Sequence, residues 1–276
     1  MLRLFLVTPL AFAGALLCNA ADQNSMRTPV LLELFTSEGC SSCPPADQLL
    51  QTLDQKQPVA GAEVIVLSEH VDYWDRLGWK DPFSSPQYTA RQKTYTEKYR
   101  LDGVYTPQLV VDGRFGVVGS DGSAVSSAIR QALREQKIPI TISRTAHDDN
   151  QLTAHIDVPA GERNAKDGSA ILYAAVADNR MDSQVSRGEN SGRSLSHVAV
   201  TRVLKQMGTV DLGSPTAKEI VLDLPPGMGR SGSRLVVFLQ DPKSGRILGT
   251  AAQQFLEKGW GAKERVNKKV GGPLPH

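Results

Sequence analysis

Two cysteines separated by two serines, Cys40-Ser41-Ser42-Cys43, are the residues of this chain best suited to chemistry. Sulfurs at that spacing close and reopen a disulfide: one thiolate attacks a partner disulfide and the other resolves the mixed disulfide. Cys40 is the expected nucleophile, the more exposed of the two. Cys43 is the expected resolving thiol, turned into the helix that follows. A purely structural bridge is poorly placed here, because closing so short a loop gains only about 2 kcal/mol. A third cysteine, Cys18, lies in a segment expected to be removed, which leaves this pair alone in the mature chain.

That removal is read from the N-terminus. Arg3 precedes an apolar stretch, Leu4 to Leu17, and small residues follow up to Ala20-Ala21. This is the pattern of a secretory signal peptide over 1–20, cleaved after Ala20. A lipid-anchored product at Cys18 is disfavoured by the bulky Leu17. The expected location is periplasmic or secreted. No other stretch reaches the about 18 consecutive apolar residues of a membrane span, so no transmembrane segment is expected once the signal is removed. With 276 residues, 40% hydrophobic and 22% charged, and a net charge of +2, the chain reads as globular and lacks the basic excess of a nucleic-acid binder.

Around the pair the sequence reads as strand, helix, strand. Val30 to Phe35 is an apolar run suited to a buried strand. A helix over Ala46 to Leu53 carries Leu49, Leu50 and Leu53 on one face, and Val64 to Leu67 is a second buried strand. Such a βαβ unit has parallel strands and a right-handed crossover. Pro44 and Pro45 donate no backbone hydrogen bonds, so the regular helix is expected to start near Pro44, after the cysteines. Ser85-Pro86 opens another helix, on which Tyr88, Tyr95 and Tyr99 form a packing stripe. Asp112-Gly113 marks a hairpin, and Asp121 caps a helix over 123–136. From Ile138 onward the pattern becomes seven short strands between turn residues, as in an antiparallel sandwich. The expected architecture is an α/β thioredoxin-like domain over 26–137, then an all-β, antiparallel β-sandwich domain over 138–257. A flexible tail over 258–276 completes it.

Other residues are expected to converge on the cysteines. The carboxyl ends of parallel strands are where open α/β sheets bind ligands, and a helix N-terminus there stabilises a thiolate. Thr106-Pro107 suits a cis-proline facing the pair, with Thr106 free to bind an extended substrate; the alternative is an ordinary proline opening a strand. Glu33 could lie beneath the pair as a buried proton acceptor, or be salt-bridged elsewhere. His70, Asp72 and Trp74, at the end of the second strand, are candidates to line a substrate groove, or are simply satisfied loop residues. Gly188 to His197 is the most distinctive stretch of the second half, read as a polar loop entering a strand at Ser194.

The run Glu33-Leu34-Phe35-Thr36-Ser37-Glu38-Gly39-Cys40-Ser41-Ser42-Cys43-Pro44-Pro45-Ala46-Asp47 resembles the signature of a secreted bacterial thioredoxin-like family catalogued only as a domain of unknown function. His70 to Asp75 with Gly78-Trp79 and Asp81-Pro82-Phe83, Thr106-Pro107-Gln108, and Gly188 to His197 resemble its further signatures. The resemblance implies fold and export more than activity. Relative to thioredoxin, the chain has Gly39 in place of a tryptophan and Ser41-Ser42 in place of Gly-Pro.

The expected function is thiol–disulfide exchange with a protein thiol or disulfide as substrate or redox partner. The alternatives are Cu(I) handling by the two thiolates and non-catalytic partner binding. No motif asks for a cofactor or a resident metal ion, and the sequence does not indicate an oligomeric state.

Overall fold

The apolar run at Val30 lies in the first strand of the computed structural model, which describes residues 27–148, 150–160, 168–228 and 232–255. The expected signal peptide with Cys18, and the expected tail, lie outside the described residues. Strand β1 (Thr28–Thr36) pairs in parallel with β2 (Ala62–His70), in register from Thr28 opposite Ala62 to Thr36 opposite His70. Nearly every residue of both strands is buried, as in parallel strands covered on both faces. Helix α1 (Pro44–Lys56) joins them and starts at Pro44, where a missing N–H costs no helical bond. The cysteines are left in a turn before it, with the Cys43 N–H donating to the Cys40 carbonyl at 3.2 Å.

A short 3-10 helix (Asp72–Leu77) follows β2, and α2 (Pro86–Tyr99) is capped by Ser85, whose hydroxyl accepts from the Gln87 N–H. The expected tyrosine stripe packs inward: Tyr88 and Tyr95 are buried, and the Tyr95 and Tyr99 rings stack 5.9 Å apart. Strands β3 (Gln108–Val111) and β4 (Phe115–Val118) form the expected hairpin, with β3 antiparallel to β1. Gly113 is obligatory at its tip. It has a φ of 61°, and a Cβ there would overlap the Gly245 carbonyl oxygen. Helix α3 (Gly122–Ala132) is capped by Asp121, which accepts from the N–H groups of Ser123 and Ala124 at 3.0 and 2.9 Å.

Among the described residues seven strands follow: β5 (Thr141–His147), β6 (Gln151–Val158), β7 (Ser169–Gln184), β8 (Ser194–Asp211), β9 (Thr216–Asp223), β10 (Ser233–Gln240) and β11 (Ile247–Phe255). Their arrangement corrects the expected fold class. The protein is predominantly β, and one mixed eight-stranded sheet runs in the order β11-β10-β7-β8-β2-β1-β3-β4. Only β5, β6 and β9 form a separate sheet, whose apolar face (Leu152, Ala154, Ile156) packs on β7 and β10. An α/β thioredoxin-like domain followed by a self-contained all-β sandwich is therefore not what the chain builds. Periodicity reports which face of a strand is buried, not which neighbour its edge bonds. The continuous burial of Ala174–Asp178 and His197–Thr201 marks where the long β7–β8 pair passes into the first half.

The halves interlock beyond the bridge of Ser68 with Val200. The Tyr88 hydroxyl donates to the Thr201 carbonyl at 2.7 Å, and the Ile247 N–H donates to the Asp112 carbonyl at 2.9 Å. At the end of the first half, Lys137 Nζ donates to Asp112 Oδ2 at 2.6 Å and the Ile138 N–H to the Leu248 carbonyl at 2.8 Å. Arg234 on β10 holds Asp54 on α1 through two bonds of 2.6 and 3.0 Å. Removing one partner of a pair this buried strands the other charge. Asp54→Ala is expected to lower the unfolding free energy by about 3 kcal/mol, measured by urea denaturation, with Asp54→Leu/Arg234→Met recovering part of the loss.

Candidate functional site

Cys40 and Cys43 are bonded as a disulfide with their Cα atoms 5.4 Å apart. The pair sits where β1 ends and α1 begins, at the carboxyl ends of β1 and β2. Both cysteines are fully buried, so exposure does not single out Cys40 as expected. The helix gives the sulfurs little help from free N–H groups. Pro44 and Pro45 have none, and those of Ala46 and Asp47 donate to the Cys43 carbonyl at 2.8 and 3.1 Å. What is left to favour a thiolate is the axial dipole and the Ser42 hydroxyl, 3.4 Å from the Cys40 sulfur.

Two of the expected substrate-binding residues, Trp74 and Thr106, lie together with Pro107 beside the loop of the pair. The Trp74 indole N–H donates to Thr106 Oγ1 at 2.8 Å. The same side chain packs against Gly39, where an added Cβ would lie a tight 3.2 Å from Trp74 Cβ. The Thr106–Pro107 peptide bond is cis. A Cβ on Gly119 would lie 3.1 Å from Ala46 Cβ and 3.4 Å from Pro107 Cβ, so Pro107 is held close to the start of α1. Trp74 thus links the loop before Cys40 to the Thr106–Pro107 segment.

The roof of the site comes from the second half of the chain. Asn190, in the connection between β7 and β8, donates through Nδ2 to the carbonyls of Glu38 (2.8 Å) and Cys40 (2.9 Å) and is itself fully buried. Glu189 Oε2 accepts from the Ser41 N–H at 3.2 Å and the Ser41 hydroxyl at 2.6 Å, which hold its carboxyl below the usual carboxylate range. Neither residue is expected from the sequence beyond the distinctiveness of their stretch.

Beneath the loop lies a buried polar cluster. His70 is opposite Thr36 in the β1–β2 register, and its Nδ1 lies 2.7 Å from Asp81 Oδ2. Asp81 also accepts from the Glu38 N–H at 2.8 Å, and the Trp79 indole donates to Glu38 Oε2 at 2.7 Å. His197 lies between Glu38 and Asp47, 3.7 and 3.6 Å from their carboxylates, with its ring 4.7 Å from that of His70. Asp47 is one helical turn beyond Cys43 and accepts from the Thr36 hydroxyl at 3.1 Å. Burial alone would push the His70 pKa down, but the Asp81 carboxylate reverses this and raises it. Burial would likewise raise Asp81, yet His70 and the N–H groups of Glu38 and Phe83 hold it below its ordinary value.

Glu33 and Asp72 are placed elsewhere, in the alternative roles the sequence also allowed, a salt-bridged glutamate and a satisfied loop aspartate. Side chains alternate along a strand, and Thr36 faces α1, so Glu33 faces the opposite side of the sheet. There it accepts from Arg91 Nε at 2.5 Å and from the Tyr95 hydroxyl at 2.6 Å. Its neighbour Glu69, buried beside the Glu33 charge, has its pKa raised well above the ordinary value. Asp72 is turned to α2, where Oδ1 accepts from the Thr89 hydroxyl at 2.6 Å. Among the described residues no group of three or more His, Cys, Asp or Glu is arranged to hold a metal ion. No helix among them is long and apolar enough to cross a membrane.

A buried C-x-x-C disulfide roofed by a hairpin of the same sheet defines the class. Residues 31–240 match the family described as "Protein of unknown function (DUF1223)", and the chain belongs to that family. The solved structure of protein AGR_C_4864 from Agrobacterium tumefaciens is 28% identical over 91% of this chain and 98% of that one, with a TM-score of 0.63. HBP35 of Porphyromonas gingivalis shares the fold alone, at 17% identity over 90% of this chain and 81% of that one, with a TM-score of 0.61. A search of curated proteins finds no match.

The His70–Asp81 pair sets a pH window for stability. Asp81 is depressed, so its contribution is fully present above its ordinary pKa of 3.8 and is lost as pH falls through the lower folded value. His70 is raised, so its contribution is fully present below 6.5 and is lost as pH rises through the higher folded value. The stability difference between wild type and Asp81→Asn, followed by urea denaturation, is expected to be largest between these limits. It should shrink on both the acid and the alkaline side.

Proposed function

We propose that the protein is an exported thiol–disulfide exchange protein working through Cys40 and Cys43. The observation that carries this reading is the Cys40–Cys43 disulfide itself, set at the strand-to-helix junction with Trp74, Thr106 and Pro107 beside it. A short bridge adds little stability, yet the surrounding chain is organised around it. The signal-like N-terminus supports export, to a compartment where a disulfide persists.

In the exchange a substrate thiolate bonds to the Cys40 sulfur. The Cys40–Cys43 bond breaks, and the electron pair leaves on Cys43. A second substrate thiolate then attacks the substrate sulfur of the mixed disulfide and releases Cys40. The substrate dithiol loses two electrons and the protein disulfide gains them. Thr106 and Trp74 flank the path of an extended substrate. The protein substrate or redox partner is recognised on this groove and not through a cofactor.

The surroundings bear on the reduction potential, and the same exchange runs in either direction according to the partner. A thiolate at Cys40 or Cys43 would form near the carboxylates of Glu38, Asp47 and Glu189, with α1 offering only its dipole. Nothing here stabilises the reduced form strongly, so we place the pair among the less oxidising ones. Its reduction potential, measured by equilibration with thiol–disulfide buffers, is expected on the reducing side of about −180 mV. The reverse reaction supplies the trap: in Cys43→Ser the free Cys40 thiolate is expected to attack a disulfide substrate, expel one of its sulfurs as a thiolate and stay bonded to the other, a mixed disulfide visible by intact mass, and Cys40→Ser is expected to trap none. A folded wild-type disulfide that stays closed in excess dithiol would contradict the reading.

A further inference from the structure

The connection between β7 and β8 is a built element. It is closed on itself by the Val185 N–H to the Arg193 carbonyl (3.0 Å) and the Gly192 N–H to the Val185 carbonyl (2.8 Å). Gly188, with a φ of 74°, brings the tip against Trp79, where a Cβ would lie only 3.2 Å from Trp79 Cβ. Arg193 Nη1 donates to Asn190 Oδ1 at 2.8 Å and so aims the carboxamide.

What that tip touches is informative. Of its four hydrogen bonds to the cysteine loop, three are to main-chain groups: the carbonyls of Glu38 and Cys40 and the N–H of Ser41. The fourth is to the Ser41 hydroxyl. A carboxamide carries the polar groups of a peptide bond, and a carboxylate oxygen accepts where a backbone carbonyl would. The loop those main-chain groups belong to is two consecutive turns, closed by the Cys40 N–H to the Ser37 carbonyl (3.1 Å) and the Cys43 N–H to the Cys40 carbonyl (3.2 Å), so the polar main-chain groups it turns outward are met by the tip and not by a neighbouring strand. With the tip in place both cysteines are fully buried, and an incoming sulfur has no line to the bond it must break.

We infer that the Gly188–Arg193 tip is a substrate-mimicking cap, holding the place of a cysteine-bearing polypeptide segment that must displace it to reach Cys40. This rests on the thiol–disulfide reading and adds the substrate class and the gate. Displacement exposes the Glu38 and Cys40 carbonyls and the Ser41 N–H together. A polypeptide replaces those bonds with its own backbone as it delivers its thiolate. A small thiol has too few groups to do so and waits for spontaneous opening.

The test compares reduced glutathione with a short unstructured peptide bearing two cysteines, each reacting with the full mature protein at equal thiolate concentration. Wild type is expected to lose its disulfide to the peptide about tenfold faster than to glutathione, the equivalent of one to two net hydrogen bonds recovered. Asn190→Ala should speed the glutathione reaction by about tenfold, changing the peptide rate less and narrowing the ratio. Glu189→Ala, whose side chain is exposed, should act in the same direction and serves if Asn190→Ala does not fold. Unchanged glutathione rates in folded variants, or equal wild-type rates for the two thiols, would overturn the cap while leaving disulfide exchange standing. If neither thiol reduces any of the three folded proteins, the exchange reading falls, and the cap with it.

Discussion

Strand β8 meets β2 at one place, Ser68 opposite Val200, and the position of that junction decides what the site is made of. Three residues before it on β8, His197 enters the buried cluster below the cysteines. A few residues earlier still, Glu189 and Asn190 reach the cysteine loop from above. The disulfide is therefore enclosed by segments far apart in sequence, and neither half of the chain forms the site by itself. The bonds at Asp54–Arg234, Tyr88–Thr201 and Asp112–Ile247 hold the two halves in the one register that makes this fit.

Enclosure has an electrostatic consequence. Glu38, Asp47 and Asp81 are buried within one cluster, faced by His70 and His197. Burying carboxylates is costly unless they are paired and hydrogen-bonded, and Asp81 meets that condition through His70 and two backbone N–H groups. Glu38 Oε1 and both His197 ring nitrogens lack a hydrogen-bond partner within ordinary distance, although they lie close to one another. The carboxylates work against thiolate formation and the two histidines for it, so the cluster does not supply the strongly positive surroundings that a highly oxidising disulfide requires. On the far face of the sheet, Glu33 and Glu69 are engaged with Arg91 and α2 and play no part in this balance.

Local features were legible in the sequence wherever one residue type enforces one geometry. The prolines at 44 and 45 fixed the start of α1, Ser85 and Asp121 capped their helices, and Gly113 turned the hairpin. The βαβ order put Trp74 near the cysteine loop and the likeness to thioredoxin put Thr106-Pro107 there, but the bond between Trp74 and Thr106 was not legible. What periodicity could not show was lateral neighbourhood. The alternation of β7, β8, β10 and β11 looks the same whether they form their own sheet or extend another. Strand parity was available for Glu33 but needed a reference: only the contact of Thr36 with Asp47 shows which face holds α1. Asn190 and Glu189 were hidden for a related reason, since a polar loop carries no sign of the distant backbone it satisfies.

Native-state hydrogen exchange tests the composite site most directly. If the two halves close the disulfide as one unit, amides of 38–43 and 185–193 should lose protection together, with the same opening free energy and the same denaturant dependence. Cysteine-loop amides that open independently of the β7–β8 connection would contradict the account.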